Sequence, residues 1–235
     1  MVDVPLAVLI IILLIIFFSY TFPIKTIQDL AENNSIWEIE NSEYIYLTFD
    51  DGPNKQVTPF ILDELKKSKQ KATFFIIPEY IKGNEAIVKR IYQEGHTIGL
   101  HGKSRFLATN SVEFLEEYVN FFEKNMTKIL NKSFKTKYFR PPSGWRSVEL
   151  YDALEEKNIT LVGWSKFCWA DSYILSQKGV LNRVEKHATP GKIFVFHDGN
   201  TKWGDITRLN SKYLLKIFPD ILTILEEKNL KSKAL

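Results

Sequence analysis

Residues 46–53 read Y-L-T-F-D-D-G-P. A run of strand formers ends in two adjacent carboxylates, then a glycine and a proline. Adjacent anions repel, so a fold retains them only where solvent, a cation or a metal compensates. Read alone, D-G and G-P are turn dipeptides, and the segment is simply the end of a strand. What stands at the ends of the other strands decides between these readings.

Outward from this stretch the chain alternates. Strands are expected over residues 44–49, 72–77, 96–101, 137–140, 159–165 and 192–196. Helical spacing or capping residues place helices over 56–68, 84–94, 111–130, 147–157, 176–188 and 211–228. Strict alternation of strand and helix implies an α/β fold: a parallel sheet, open or closed into a barrel, with helices outside. In such folds the C-terminal strand ends share one face. Asp50 and Asp51 follow the first strand, His101 the third, Arg140 the fourth and His197 the last; Asp171 follows the fifth after a short stretch. Scattered surface charges have no reason to choose these positions. Carboxylates and histidines converging on one rim suit a divalent cation and an activated water.

Other chemistries fit less well. G-K-S at 102–104 lacks the upstream glycine of a phosphate loop, since Thr97 stands there. A glycosidase needs two carboxyl groups several ångströms apart, which adjacent residues do not supply, although Asp50 with Asp171 would. Cys168 has no evident base and reads as a buried bystander. His187 lies at a helix end as a cap or surface residue. His96 is five residues before His101, so along a strand it points to the other face and reads as packed.

The residues 46–53 stretch, K-A-T-F-F-I at 71–76, G-H-T-I-G-L-H at 95–101, F-R-P-P at 139–142 and P-G-K-I-F-V-F-H-D at 190–198 occur in an order and spacing that resemble the polysaccharide deacetylases (carbohydrate esterase family 4, the NodB-homology domain). The resemblance implies a distorted (β/α) barrel and removal of acetyl groups from an N-acetylated glycan such as chitin or peptidoglycan. It implies Asp50 as general base, Asp51 and His101 as ligands to zinc or a similar divalent metal, and His197 as general acid. It further implies that Arg140 orients a catalytic carboxylate and that Asp171 tunes the acid histidine. Pro142, Ser143 and Trp145 fall where the family binds its sugar.

Two positions depart from the family pattern. The second metal histidine of the family's His-(Ser/Thr)-x-x-His motif is Arg105 here, which has no lone pair to donate. The tyrosine that usually follows Arg-Pro-Pro is Ser143, so Trp145 is the candidate aromatic wall. Three readings follow: a deacetylase with an altered metal shell, a catalytically impaired relative that binds carbohydrate or acts as a scaffold, and a metal-free hydrolase using Arg105.

Composition sets outer limits. At 235 residues with 45% apolar side chains, the chain supports one sizeable core, and a net charge of +3 without a basic block gives no sign of nucleic-acid binding. One cysteine excludes an intrachain disulfide. Residues 4–22 are 19 in a row without a charge, long enough to cross a bilayer. They read as a retained anchor or signal peptide within 1–22, followed by a polar linker over 23–41 and the deacetylase-like domain over 42–235. That organisation puts the domain outside the cytoplasm, either membrane-anchored or secreted.

Overall fold

The computed structural model describes residues 35–102, 112–144, 148–169, 176–199 and 211–235. The apolar segment 4–22 and positions 105, 145 and 171 lie outside them. Among the described residues no helix is long and apolar enough to cross a membrane.

Among the described residues seven strands form a single parallel sheet: β1 (Ser35–Ile36), β2 (Tyr46–Gly52), β3 (Ala72–Ile76), β4 (Thr97–His101), β5 (Tyr138–Arg140), β6 (Thr160–Val162) and β7 (Ile193–His197). Their spatial order is β1-β6-β5-β4-β3-β2-β7. The sheet curls into an incomplete barrel. The segment after β6 reaches the free edge of β7, where the Ser165 N–H donates to the Ile193 carbonyl and the Val195 N–H to the Cys168 carbonyl, both at 3.0 Å. Among the described residues six α-helices pack outside: α1 (Val57–Lys67), α2 (Glu85–Gln93), α3 (Val112–Leu130), α4 (Val148–Glu156), α5 (Gln177–His187) and α6 (Leu214–Glu227).

β2, β3 and β7 are buried on both faces along their whole length, as parallel strands under helices must be. Their period of two still sorts the side chains. Leu47, Phe49, Phe74, Leu100, Phe194 and Phe196 belong to the main core under the helices. Tyr46, Phe75, Val162 and Ile193 form a second cluster. Asp50 shares the parity of Tyr46, and His197 that of Ile193, so both belong with the second set inside the curl.

The alternation expected from sequence is observed: six strands and six helices lie where it places them, within a few residues at each end. β1 is an addition, in a stretch that reads as linker. It pairs with β6 through Ile36 and Val162, and Trp37 behind it is buried. Residues 231–235 are too short to read as a strand. They nonetheless seal the barrel floor, where the Ser232 hydroxyl accepts from the Leu47 N–H and donates to the Lys71 carbonyl.

His96 is packed at the start of β4, as its spacing from His101 implies. Its Nδ1 accepts from the Ala72 N–H at 3.2 Å, its ring meets Phe74 edge-on, and burial drives its pKa down to about 4. Cys168 is fully buried and its thiol is pushed up to about 12, which leaves it inert as a nucleophile. His187 closes α5 and stacks against Phe167.

Candidate active site

Adjacent residues of a regular strand face opposite ways, so one of the two carboxylates ought to point at the helices. β2 avoids this with a bulge. Phe49 pairs with Phe74 but Gly52 with Ile76, and Asp51 takes a positive φ of 68°. Such a bulge re-aims side chains, and aspartate tolerates this backbone region better than most residues. Both carboxylates consequently reach one imidazole. His101 Nε2 lies 3.2 Å from Asp51 Oδ1 and 3.9 Å from Asp50 Oδ2.

Arg140 fixes the second carboxylate. Its guanidinium is fully buried and its hydrogen-bond donors are well used. Nη1 donates to Asp50 Oδ1 at 2.8 Å and to Thr48 Oγ1 at 2.6 Å, Nη2 donates to the Gly163 carbonyl at 2.6 Å, and Nε to the Val162 carbonyl at 3.1 Å. The Phe75 ring lies 4.0 Å beneath it. Burial lowers the arginine's pKa and Asp50 works against that loss.

His101 is held from behind. Its Nδ1 lies 2.8 Å from the Arg140 carbonyl, which can only accept, so Nδ1 carries the hydrogen and Nε2 faces the carboxylates. Burial disfavours a charge on this ring. The charge of Asp50, the hydrogen bond and charge of Asp51, and the Arg140 carbonyl outweigh burial, and the pKa stands above the ordinary histidine range. A neutral Nε2 lone pair facing two carboxylates is unfavourable, so the arrangement calls for a proton or a cation between them. The 3.2 Å separation suits a cation: two ligands at about 2.0–2.1 Å in a tetrahedral shell stand roughly 3.3 Å apart. Asp51 and His101 thus fit two corners of a divalent-metal shell. Among the described residues no group of three or more His, Cys, Asp or Glu is placed to hold an ion. The position that the resemblance gives to a further ligand is Arg105.

His197 is buried on the neighbouring strand, directly paired in register with Asp50. Beyond β5, Pro142 and Ser143 enter a short 3₁₀ turn, Pro142–Gly144, in which Ser143 takes the left-handed conformation (φ 55°, ψ 19°). The described site residues Asp50, Asp51, His101, Arg140, His197, Pro142 and Ser143 therefore sit at the ends of β2, β4, β5 and β7, on one face of the sheet.

Three contributors receive no role from the sequence, although Thr48 and Asp198 stand inside the stretches at 46–53 and 190–198. Thr48 bridges Arg140 to β7 by donating to the Phe194 carbonyl at 2.7 Å, and its only signal is strand parity with Asp50. Tyr118 of α3 has its hydroxyl within 3.2 Å of the His101 carbonyl and 3.1 Å of Glu79 Oε2. Asp198 is the most consequential. It is fully buried beside the pair, and the Thr58 hydroxyl donates to its Oδ2. Burial, together with the charges of Asp51 and Asp50 and against the Thr58 hydrogen bond, pushes its pKa up to about 7. A methyl group on Gly52 would stand 2.5 Å from Asp198 Oδ1, and one on Gly199 would stand 1.7 Å from the Asp51 carbonyl oxygen. Only glycines let the two loops approach this closely.

Comparison with known proteins gives this geometry a family. The sequence model of the polysaccharide deacetylases matches residues 38–162. A peptidoglycan-N-acetylglucosamine deacetylase of Bacillus cereus is 35% identical over 195 residues, covering 79% of this chain and 85% of the relative. The crystal structure of a peptidoglycan N-acetylglucosamine deacetylase, bound to a naphthyl-substituted N-hydroxybenzamide, superposes with a TM-score of 0.74 at 26% identity, covering 89% of this chain and 94% of the other. A pseudoenzyme of carbohydrate esterase family 4 from Bacillus anthracis shares the fold alone, with a TM-score of 0.69 at 21% identity over 86% of this chain and 67% of its own. A parallel curled sheet with paired aspartates, a buried arginine and two histidines at its strand ends, matched over more than half its length by the family's sequence model, places the chain in the polysaccharide deacetylase family.

Proposed function

We propose that the chain hydrolyses the acetamido group of an N-acetylated polysaccharide of the peptidoglycan or chitin type, releasing acetate and leaving a free amine on the sugar. The observation that carries this reading is the shared reach of Asp50 and Asp51 to His101, with Arg140 bound to Asp50. Asp51 and His101 would hold a divalent cation of the zinc type. That cation supplies Lewis acidity, making water more acidic and an acetyl carbonyl more electrophilic.

The chain's own residues do the rest. Arg140 holds the Asp50 carboxylate in place at 2.8 Å, so Asp50 is aimed to take the proton of the attacking water. The backbone N–H of Ser143 donates to the oxyanion as the carbonyl carbon becomes tetrahedral. His197 gives a proton to the nitrogen as the C–N bond breaks. Asp171 and Trp145 keep the roles that the resemblance implies, tuning the acid and walling the sugar. The uncharged run of residues 4–22 supports a location outside the cytoplasm, where such glycans lie.

Arg105 favours a second reading, in which the domain binds glycan without cleaving it, because a guanidinium cannot complete a metal shell. One assay separates the two. Acetate release from peptidoglycan and from chitin oligomers is measured with added zinc for the full chain and for Asp50→Asn. The deacetylase reading expects release that falls at least about 100-fold in the variant, the usual scale for loss of a general base. Glycan binding without acetate release selects the second reading.

A further inference from the structure

We propose that the cleft beside Asp51 is an anion-accepting subsite, in which Lys55 and Lys82 engage a carboxylate carried by the glycan on or next to the reacting sugar. This inference rests on the glycan-binding reading of the site and adds a substrate preference to it.

The cleft has a volume of about 460 Å³ and is open to solvent. That is within the usual span for small-ligand sites, about 300–1,000 Å³. One wall is the turn that leads into α1, with Asn54 and Lys55; the other precedes α2, with Glu79, Lys82 and Asn84. Asp51 lies at the junction with the reactive centre, so whatever occupies the cleft is continuous with a sugar held there.

Its formal charges balance, Lys55 and Lys82 against Asp51 and Glu79, but both carboxylates are already engaged elsewhere. Asp51 is already matched by His101, 3.2 Å away. Glu79 takes the Tyr118 hydroxyl. Glu85 stands in the first turn of α2 and feels Lys55 only weakly; its own N–H and the hydrogen bond with Gly83 do more to hold its carboxyl below the ordinary range. Lys55 and Lys82 are both exposed, and among the described residues neither forms an ion pair. The N-terminal ends of α1 and α2 border the same space and add positive potential. At α1 the Asn54 side chain already occupies the Gln56 and Val57 N–H groups, so the lysines make the direct contacts.

Glycans differ in what they present to such a cleft. Chitin is neutral. In peptidoglycan every second sugar carries a lactyl ether, whose carboxyl is a free carboxylate wherever the stem peptide has been removed, close to the acetamido group of its own ring and its neighbour's. Two lysines flanking the entrance to the site select the second polymer.

The test compares three fluorescently labelled tetrasaccharides binding to the full chain by anisotropy: a peptide-free peptidoglycan strand, the same strand with its carboxylates reduced to alcohols, and chitotetraose. A chelator prevents hydrolysis. The carboxylate strand is expected to bind about tenfold more tightly than the reduced strand, the scale of two exposed ion pairs. The advantage shrinks at high salt. Lys55→Gln with Lys82→Gln equalises the two strands and leaves chitotetraose unchanged. Equal binding of both strands to the native chain, or a preference that survives the double substitution, overturns the inference alone. If no tetrasaccharide binds, the glycan-binding reading falls and this inference falls with it.

Discussion

Replacing Arg140 with methionine is expected to destabilise the fold by about 3–5 kcal/mol, the scale for removing one partner of a buried ion pair. The loss comes less from the missing bond than from what remains. Asp50 is only 3% exposed, and without the guanidinium its carboxylate has no buried counter-charge on that side. The Val162 and Gly163 carbonyls lose their donor as well. For a chain of this length the shift corresponds to a melting temperature lower by about 10 °C, read by thermal or urea denaturation. Substituting Asp50→Leu in the same chain should recover part of the stability by removing the stranded charge, while acetate release stays absent. A cost below about 1 kcal/mol for Arg140→Met would mean that the pair contributes as an exposed one does, contrary to its complete burial.

The second large effect is expected at residue 105. Asp51 and His101 offer two donors in good relation, and the family pattern assigns another to the position held by Arg105. If its guanidinium stands about 5 Å from a divalent ion, the repulsion at an effective dielectric near 20 is about 6 kcal/mol, more than a single ligand returns. Arg105→His removes that repulsion and adds a lone pair. Zinc affinity, measured by competition with a chromophoric chelator, should rise by about 10²- to 10⁴-fold, and acetate release should rise with it. An unchanged affinity would mean that residue 105 does not face the site.

Much of this arrangement is legible in the chain. Strand–helix alternation survives burial because helices keep their 3.6-residue period and capping residues mark their starts, as Ser176 does by accepting from the Gly179 N–H. The polar residues at strand ends are readable because parallel strands share one C-terminal face. Other features have no local signature. β1 is two residues long, too short to show a period, and it exists because Ile36 finds an edge on β6. That Asp50 and Asp51 face the same way contradicts simple alternation and depends on the bulge in β2. Asp198 follows His197 in the sequence and looks like the start of a loop. It is buried only because Gly52 and Gly199 bring two loops together, a contact made across the fold.

The Asp50 and Asp51 pair, His101 and Arg140, distant in sequence, meet at one centre, and the mechanism requires that this centre hold a cation beside its base. Zinc titration of the full chain followed by calorimetry, beside Asp51→Ala and His101→Ala, tests it most directly. Saturable binding at one site is expected in the native chain, weakened at least about tenfold in either variant, as loss of a direct ligand requires. Binding of equal strength in all three proteins would contradict it.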